Sequence, residues 1–93
     1  SSTAAMTITM LGSYSVTYNY DVSTESGWDK FSVEETISGK STTTVSGASG
    51  EDSGSKTATL AEGDSIYFAY KKDSSGNSGD DTVTLTLVIA PIA

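Results

Sequence analysis

Apolar and polar residues alternate along this chain, most regularly in the run SYSVTYNYDV at residues 13–22. An aromatic or β-branched residue stands at every second position there, with small polar residues between them. Successive side chains of an extended strand point to opposite faces of a sheet, so the run has one face for a core and one for water. It predicts a half-covered β-strand whose tyrosines, Tyr14, Tyr18 and Tyr20, belong to the core.

Six further segments show the same alternation and are separated by glycine- and serine-rich breaks. They are residues 6–10, 28–37, 41–46, 56–60, 65–70 and 83–89. No segment has the periodicity of an amphipathic helix. About seven short strands with polar turns predict one domain, residues 1–93, that folds as an all-β, antiparallel, jelly-roll-like β-sandwich.

Three details of the pattern predict local structure. Segment 41–46 is rich in threonine and has one sizeable apolar residue, Val45, which is typical of an edge strand. Glu35 occupies an apolar position of its strand and predicts a bulge or an open edge there. Residues 47–55, with the sequence GASGEDSGS, predict a flexible polar loop.

The charge balance argues against two classes of partner. Twelve acidic residues face five basic ones, all of them lysine, and the net charge is −7. Five lysines cannot form the basic patch that a phosphate backbone requires, so we expect no binding to nucleic acid. An anionic membrane surface would repel the chain, and no apolar run approaches the roughly 20 residues that span a bilayer, so we expect no membrane insertion.

The side-chain inventory also argues against an enzyme. The chain contains no histidine and no cysteine, which excludes Ser-His-Asp and Cys-His catalysis and histidine- or cysteine-based metal centres. No glycine-rich loop opens a helix, so there is no nucleotide cradle. A two-carboxylate glycosidase remains formally open, but a chain of 93 residues has little room for a cleft beside its core.

Two acidic turns are candidate cation sites. Glu25 and Asp29 flank the turn STESG, and Asp73, Asp80 and Asp81 bracket the loop DSSGNSGDD. Calcium prefers six to eight oxygen ligands on a flexible loop, which carboxylate, hydroxyl and backbone oxygens can supply. The spacing differs from that of an EF-hand. The alternative is that these residues only form turns, because Asp, Asn and Ser side chains bond readily to nearby backbone.

Two aromatic residues are candidate ligand contacts, since exposed aromatic rings on a rigid β-face can stack on sugars. Tyr67 lies opposite Ile66 and Phe68 in the alternation, so we expect it to be exposed. Trp28 stands at the start of a strand beside an acidic turn. It is either a surface contact for a sugar or a buried plug.

Several short segments together resemble the jelly-roll modules of CUB and MAM type found in bacterial secreted and surface proteins. In order, they are VSTE at 22–25, DKF at 29–31, LAEG at 60–63, YKKD at 70–73 and GDD at 79–81. The last strand, TVTLTLVIAPIA, departs from that pattern, which usually continues toward an aromatic residue and an aspartate. The resemblance implies a non-catalytic module in which Glu25, Asp29 and the loop 73–81 converge at one end and hold calcium.

These features predict a non-catalytic module of a larger bacterial surface or phage protein, located outside the cell, on its surface or on a virion. Its role would be adhesion, binding or structural spacing, with calcium as the expected cofactor. The expected partners are other domains of the same extracellular protein and a glycan or protein ligand. A carbohydrate-binding module and a virion or assembly subunit whose edge strands pair with neighbours are the alternatives.

Overall fold

The computed structural model describes residues 2–24, 29–72 and 82–92 of the chain. These residues form seven antiparallel strands packed as two sheets, which confirms the predicted all-β sandwich. The strands are β1 (Ser2–Thr9), β2 (Tyr14–Ser23), β3 (Lys30–Ile37), β4 (Lys40–Ala48), β5 (Glu51–Leu60), β6 (Ser65–Lys72) and β7 (Thr82–Pro91). No helix that could cross a membrane occurs among the described residues.

The strand order leaves two different sides to the sandwich. One sheet has four strands in the order β1-β6-β3-β4, and the other has three in the order β5-β2-β7. Cavities lined jointly by β1 and β7 lie on one side, and a cavity lined by β4 and β5 lies on the other. β4 is an edge strand of the described chain, which confirms the prediction from its threonine-rich sequence.

The core lies between the sheets and is centred on β2. Tyr18 is fully buried, while Tyr14 and Tyr20 are partly buried against the core, so the prediction from their alternation is confirmed. The ring of Tyr18 meets Phe68 edge-on, with ring centroids 5.5 Å apart. The buried apolar residues are Met10, Val16, Tyr18, Val22, Phe31, Val33, Val45, Ala48, Ala58, Leu60, Ile66 and Phe68.

The predicted loop at residues 47–55 is wrong over most of its length. β4 continues to Ala48 and β5 begins at Glu51, so Ser49 and Gly50 alone connect the two strands. The β-poor sequence is held as a strand because β5 pairs with β2 along its whole length. Gly54 lies opposite Tyr20, and a Cβ atom at Gly54 would stand only 2.5 Å from the tyrosine hydroxyl oxygen, so this position accommodates the ring by having no side chain.

The irregularity expected at Glu35 lies in the neighbouring strand. β3 is an interior strand, paired with both β4 and β6, so the open edge is wrong. Two register shifts occur in the β3–β4 ladder between Phe31 and Glu34, and in both of them β4 contributes the extra residue. Glu35 keeps its inward-facing register opposite Ile66.

A partly buried hydrogen-bonded cluster explains the inward carboxylate. The Tyr18 hydroxyl donates to Glu35 Oε2 at 2.7 Å and lies 2.7 Å from Thr44 Oγ1. The phenol has one proton, so the Thr44 hydroxyl is the donor in the second bond. Burial and the adjacent Glu35 carboxylate raise the pKa of Tyr18 to about 12, although the bond donated by Thr44 acts in the opposite direction.

A second cluster fixes the turn of the β3–β4 hairpin. Ser38 and Gly39 both have positive φ, as a two-residue type I′ turn requires. The Asp64 carboxylate accepts hydrogen bonds from the backbone N–H of Ser38 at 3.1 Å and of Ala61 at 2.9 Å. These two bonds, the one from Ala61 above all, hold the pKa of Asp64 below its usual value.

We expect Tyr18→Phe to lower the free energy of unfolding by about 1–3 kcal/mol at neutral pH, because Glu35 and Thr44 each lose a buried partner. The unfolded phenol titrates near pH 10 and the folded one near 12. The native chain therefore loses stability as the pH rises from about 10 to 12, where its unfolded state releases a proton that the folded state retains. Urea unfolding of both proteins at pH 7, 10 and 11 checks this. Equal loss of stability in the two proteins above pH 10 would contradict it.

Candidate functional site

Asp29, one of the predicted calcium ligands, is buried at the start of β3. Its side chain is 1% exposed, and its Oδ2 lies 3.5 Å from the Tyr70 hydroxyl, which donates to it. Burial, together with the Asp29 carboxylate, raises the pKa of Tyr70 above its usual value. The Thr24 hydroxyl donates to the Asp29 backbone carbonyl at 3.4 Å. Asp29 therefore packs as part of the interior at this end of the sandwich.

The remaining predicted ligands, Glu25, Asp73, Asp80 and Asp81, and the predicted contact Trp28 lie outside the described residues. The residues that flank them can be placed. Ser23 pairs with Thr82, and Lys30 pairs with Lys71, so these four flanking residues lie at the same end of the sandwich. Within the described ranges, no group of three or more acidic side chains is close enough together to hold a metal ion.

Tyr67 is exposed, as its position in the alternation predicts. Its side chain is 41% accessible on the outer face of β6. Thr7 of β1 and Glu34 of β3 are its cross-strand neighbours on that face. A ring flanked by a hydroxyl and a carboxylate has the chemical groups of a small polar contact surface.

The side of the sandwich between β1 and β7 has an apolar surface that the sequence reading did not identify. Two cavities open there, of about 180 and 270 Å³. The first is lined by Ala4, Ala5, Met6, Phe31, Phe68, Ala69, Tyr70 and Leu85, and the second by Ile8, Thr9, Met10, Leu11, Tyr14 and Ile89. We call the inward-facing residues of β1 and β7 that border these cavities, Ala4, Met6, Ile8, Leu85 and Ile89, the seam.

The seam is inward-facing but incompletely covered. Met6 pairs with buried Phe68 and shares its face of the sheet, yet 45% of the Met6 side chain is accessible. Ile89 pairs with fully buried Val16 and is 43% accessible. Further large apolar side chains are exposed on β7 or on the residues that follow β1 and β7: Leu11, Val88 and Ile92. Met6 and Ile89 would be covered in a sandwich that was closed on this side, whereas Val88, opposite Thr17, lies on the outer face of β7.

The distribution of charge separates this side from the opposite one. β1 and β7 contain no charged residue, although the chain has a net charge of −7. The edge strands on the other side carry Lys40 on β4 and Glu51, Asp52 and Lys56 on β5. Charged side chains on an edge strand deter pairing with another sheet, so the chain protects one side in this way and leaves the other unprotected.

The signal for the seam is present in the sequence. Residues 1–20 and 82–93 contain no charged side chain, and these two runs supply β1, most of β2 and β7. What the sequence does not contain is the sheet order that places the first and last strands on the same side.

No family model, curated protein or solved structure matches this chain.

Calcium binding stays a prediction, and it has a direct measurement. If Asp29 helps to hold calcium, millimolar calcium will raise the thermal midpoint relative to chelator, because a ligand that binds the folded state stabilises it. A domain of this size gains about 4–8 °C for each kcal/mol. We expect Asp29→Asn to lose the calcium-dependent shift and Glu62→Gln, in an exposed turn, to retain it. An unchanged midpoint of the native chain in calcium would rule the site out.

Proposed function

We propose that this chain is a non-catalytic β-sandwich module of a larger extracellular protein or of a virion, and that it assembles with its neighbours through its uncharged side. The observation that carries the proposal is the pair of edges formed by β1 and β7. Both are free of charge, and the seam between them is apolar and half-covered. Natural edge strands are ordinarily blunted by charge, proline or bulges. β1 has neither charge nor proline, and β7 has one proline, Pro91, at its last position, so most of both edges is open to pairing.

The titratable groups with displaced pKa values support a structural role. Tyr18 is bonded to Glu35 and Thr44, Asp64 to two backbone N–H groups, and Tyr70 to Asp29. Burial or these internal bonds account for each displaced pKa. Perturbed groups of this kind also occur in catalytic sites, where several of them face a substrate. Tyr70 borders a cavity, but the other described residues that line this cavity are apolar and none of them is titratable.

The resemblance to CUB and MAM modules supports a similar role for this chain. Part of its pattern falls on described residues: Asp29 directly precedes β3, Lys30 and Phe31 begin it, and Tyr70 and Lys72 belong to the end of β6. The contact between Tyr70 and Asp29 joins two of the segments that carry the resemblance. Modules of that kind serve adhesion, binding or spacing, which agrees with assembly through a side surface.

The proposal predicts association of the purified chain that depends on the seam. Met6→Lys and Ile89→Lys place a charge on an inward-facing but half-exposed position. Each should weaken association at least tenfold, because burying an unpaired ammonium costs more than the ~1.4 kcal/mol that a factor of ten represents. Sedimentation velocity across a concentration series up to the millimolar range measures this.

Matched lysine variants on the protected side serve as controls. Thr43→Lys on β4 and Ser55→Lys on β5 lie at exposed positions of the other two edge strands, and they should associate like the native chain. Thermal melts establish that all four variants fold. A chain that stays monomeric throughout the series, or association that the seam lysines leave unchanged, would remove assembly through this side.

Carbohydrate binding is the second candidate, and Tyr67 is the observation that favours it. The ring is exposed beside Glu34, and a sugar needs such an aromatic face with polar acceptors nearby. A glycan array should then show binding by the native chain that Tyr67→Ala abolishes and Thr43→Ala retains, with unchanged melting of both variants. Glycan binding that survives Tyr67→Ala, or an array without a hit, excludes this residue as the platform.

A further inference from the structure

The two sheets do not end together on the side of the seam. On the protected side, the inward residues Val45 and Ala48 of β4 are buried. On the seam side, Ala4 and Met6 of β1 face inward and remain exposed. The four-stranded sheet therefore extends past the three-stranded sheet at β1, and the place beside β7 that would cover β1 holds no strand of the described chain.

β1 and β7 run in the same direction. Residues 10–13 connect β1 to β2, and four residues reach about 14 Å at most, which is too short to return along a strand of eight residues. β2 therefore runs opposite to β1. β7 pairs antiparallel with β2, so β7 and β1 are parallel to each other across the seam.

We infer that the occupant of the seam is a second copy of this chain, related to the first by a two-fold axis that runs parallel to the strands. This inference rests on the proposed function, for which it names the partner. The rotation exchanges the two sheets while preserving strand direction. β1 of each copy then pairs in parallel with β7 of the other, and each overhang occupies the place beside the other copy's β7.

The two-fold arrangement accounts for both uncharged edges at once. The three-stranded sheet of one copy continues the four-stranded sheet of the other, which gives two continuous sheets of seven strands. Pairing β1 with β1 would leave a gap of two strands between the two copies of β7, one beside each copy. Pairing β7 with β7 would place the overhanging β1 of each copy in the space of the other copy's β6.

Charge and area both favour a second copy as the partner. Two chains of net charge −7 repel each other over most orientations, but the side formed by β1 and β7 contributes no charge to that repulsion. A side about 34 Å long, for ten residues of strand, and about 20 Å deep, for two sheets with their side chains, offers roughly 700 Å² on each copy. Stable dimers bury roughly 800 Å² on each partner.

The axis also fixes which residues meet. Met6 and Leu85 line one cavity and Ile8 and Ile89 the other, so Thr7 lies at the level of Thr86, to about one residue. A rotation about an axis parallel to the strands leaves the height of each residue along the strands unchanged. Thr7 and Thr86 of one chain lie on opposite outer faces of the sandwich, whereas Thr7 of one copy and Thr86 of the other lie side by side on one face.

Cysteine cross-linking tests this arrangement in a chain that has no cysteine of its own. Thr7→Cys and Thr86→Cys are prepared as separate proteins, mixed, and treated with a short bifunctional thiol reagent. We expect a covalent dimer in the mixture and none in either protein alone. The level of dimer should fall at least tenfold when both proteins also carry Met6→Lys. Thr43→Cys mixed with Thr86→Cys is the control and should remain monomeric.

The outcomes separate this inference from the proposed function. A covalent dimer from Thr86→Cys alone would show that β7 pairs with β7, and a covalent dimer from Thr7→Cys alone would show that β1 pairs with β1. Either result overturns the pairing of β1 with β7 but leaves assembly through the seam in place. Association by sedimentation without any of these cross-links overturns it too, and points to a different contact. A monomer in both experiments removes the inference and the proposed function together.

Discussion

The packing of Tyr18 between the sheets is the contact on which the rest of the structure depends. Its ring lies in the core against Phe68 of β6, and its hydroxyl reaches Glu35 of β3 and Thr44 of β4. One side chain of the three-stranded sheet thus contacts three strands of the other sheet. In a chain with 35% hydrophobic residues and no disulfide, such contacts replace the larger core that the composition cannot supply.

The fold could be predicted from the sequence where one face of a strand is apolar. Alternation placed Tyr18 inside and Tyr67 outside, and both positions are confirmed, because the two-residue period of a strand links sequence directly to facing direction. The prediction of a loop at residues 51–55 is wrong for the opposite reason. They have almost no apolar side chain, and β2 holds them as a strand through backbone hydrogen bonds and the space left at Gly54.

The candidate surface could be predicted only in part. The lack of charge in β1 and β7 is visible in the sequence, but their meeting on one side is a property of the strand order. Periodicity shows that Met6 and Ile89 face inward, and it does not show whether anything covers them. Coverage depends on the three-against-four strand count, which no local pattern contains.

The extra residues of β4 limit how far such sheets can grow. They fall where the ladder with β3 shifts register, and bulges of this kind twist an edge away from the straight template that another strand requires. β5, which carries charged residues, lies beside β4. The side of the sandwich formed by β4 and β5 therefore resists pairing with another sheet. In the proposed dimer strands are added on the seam side alone, so pairing of the sheets would stop at two copies and would not extend into a fibre.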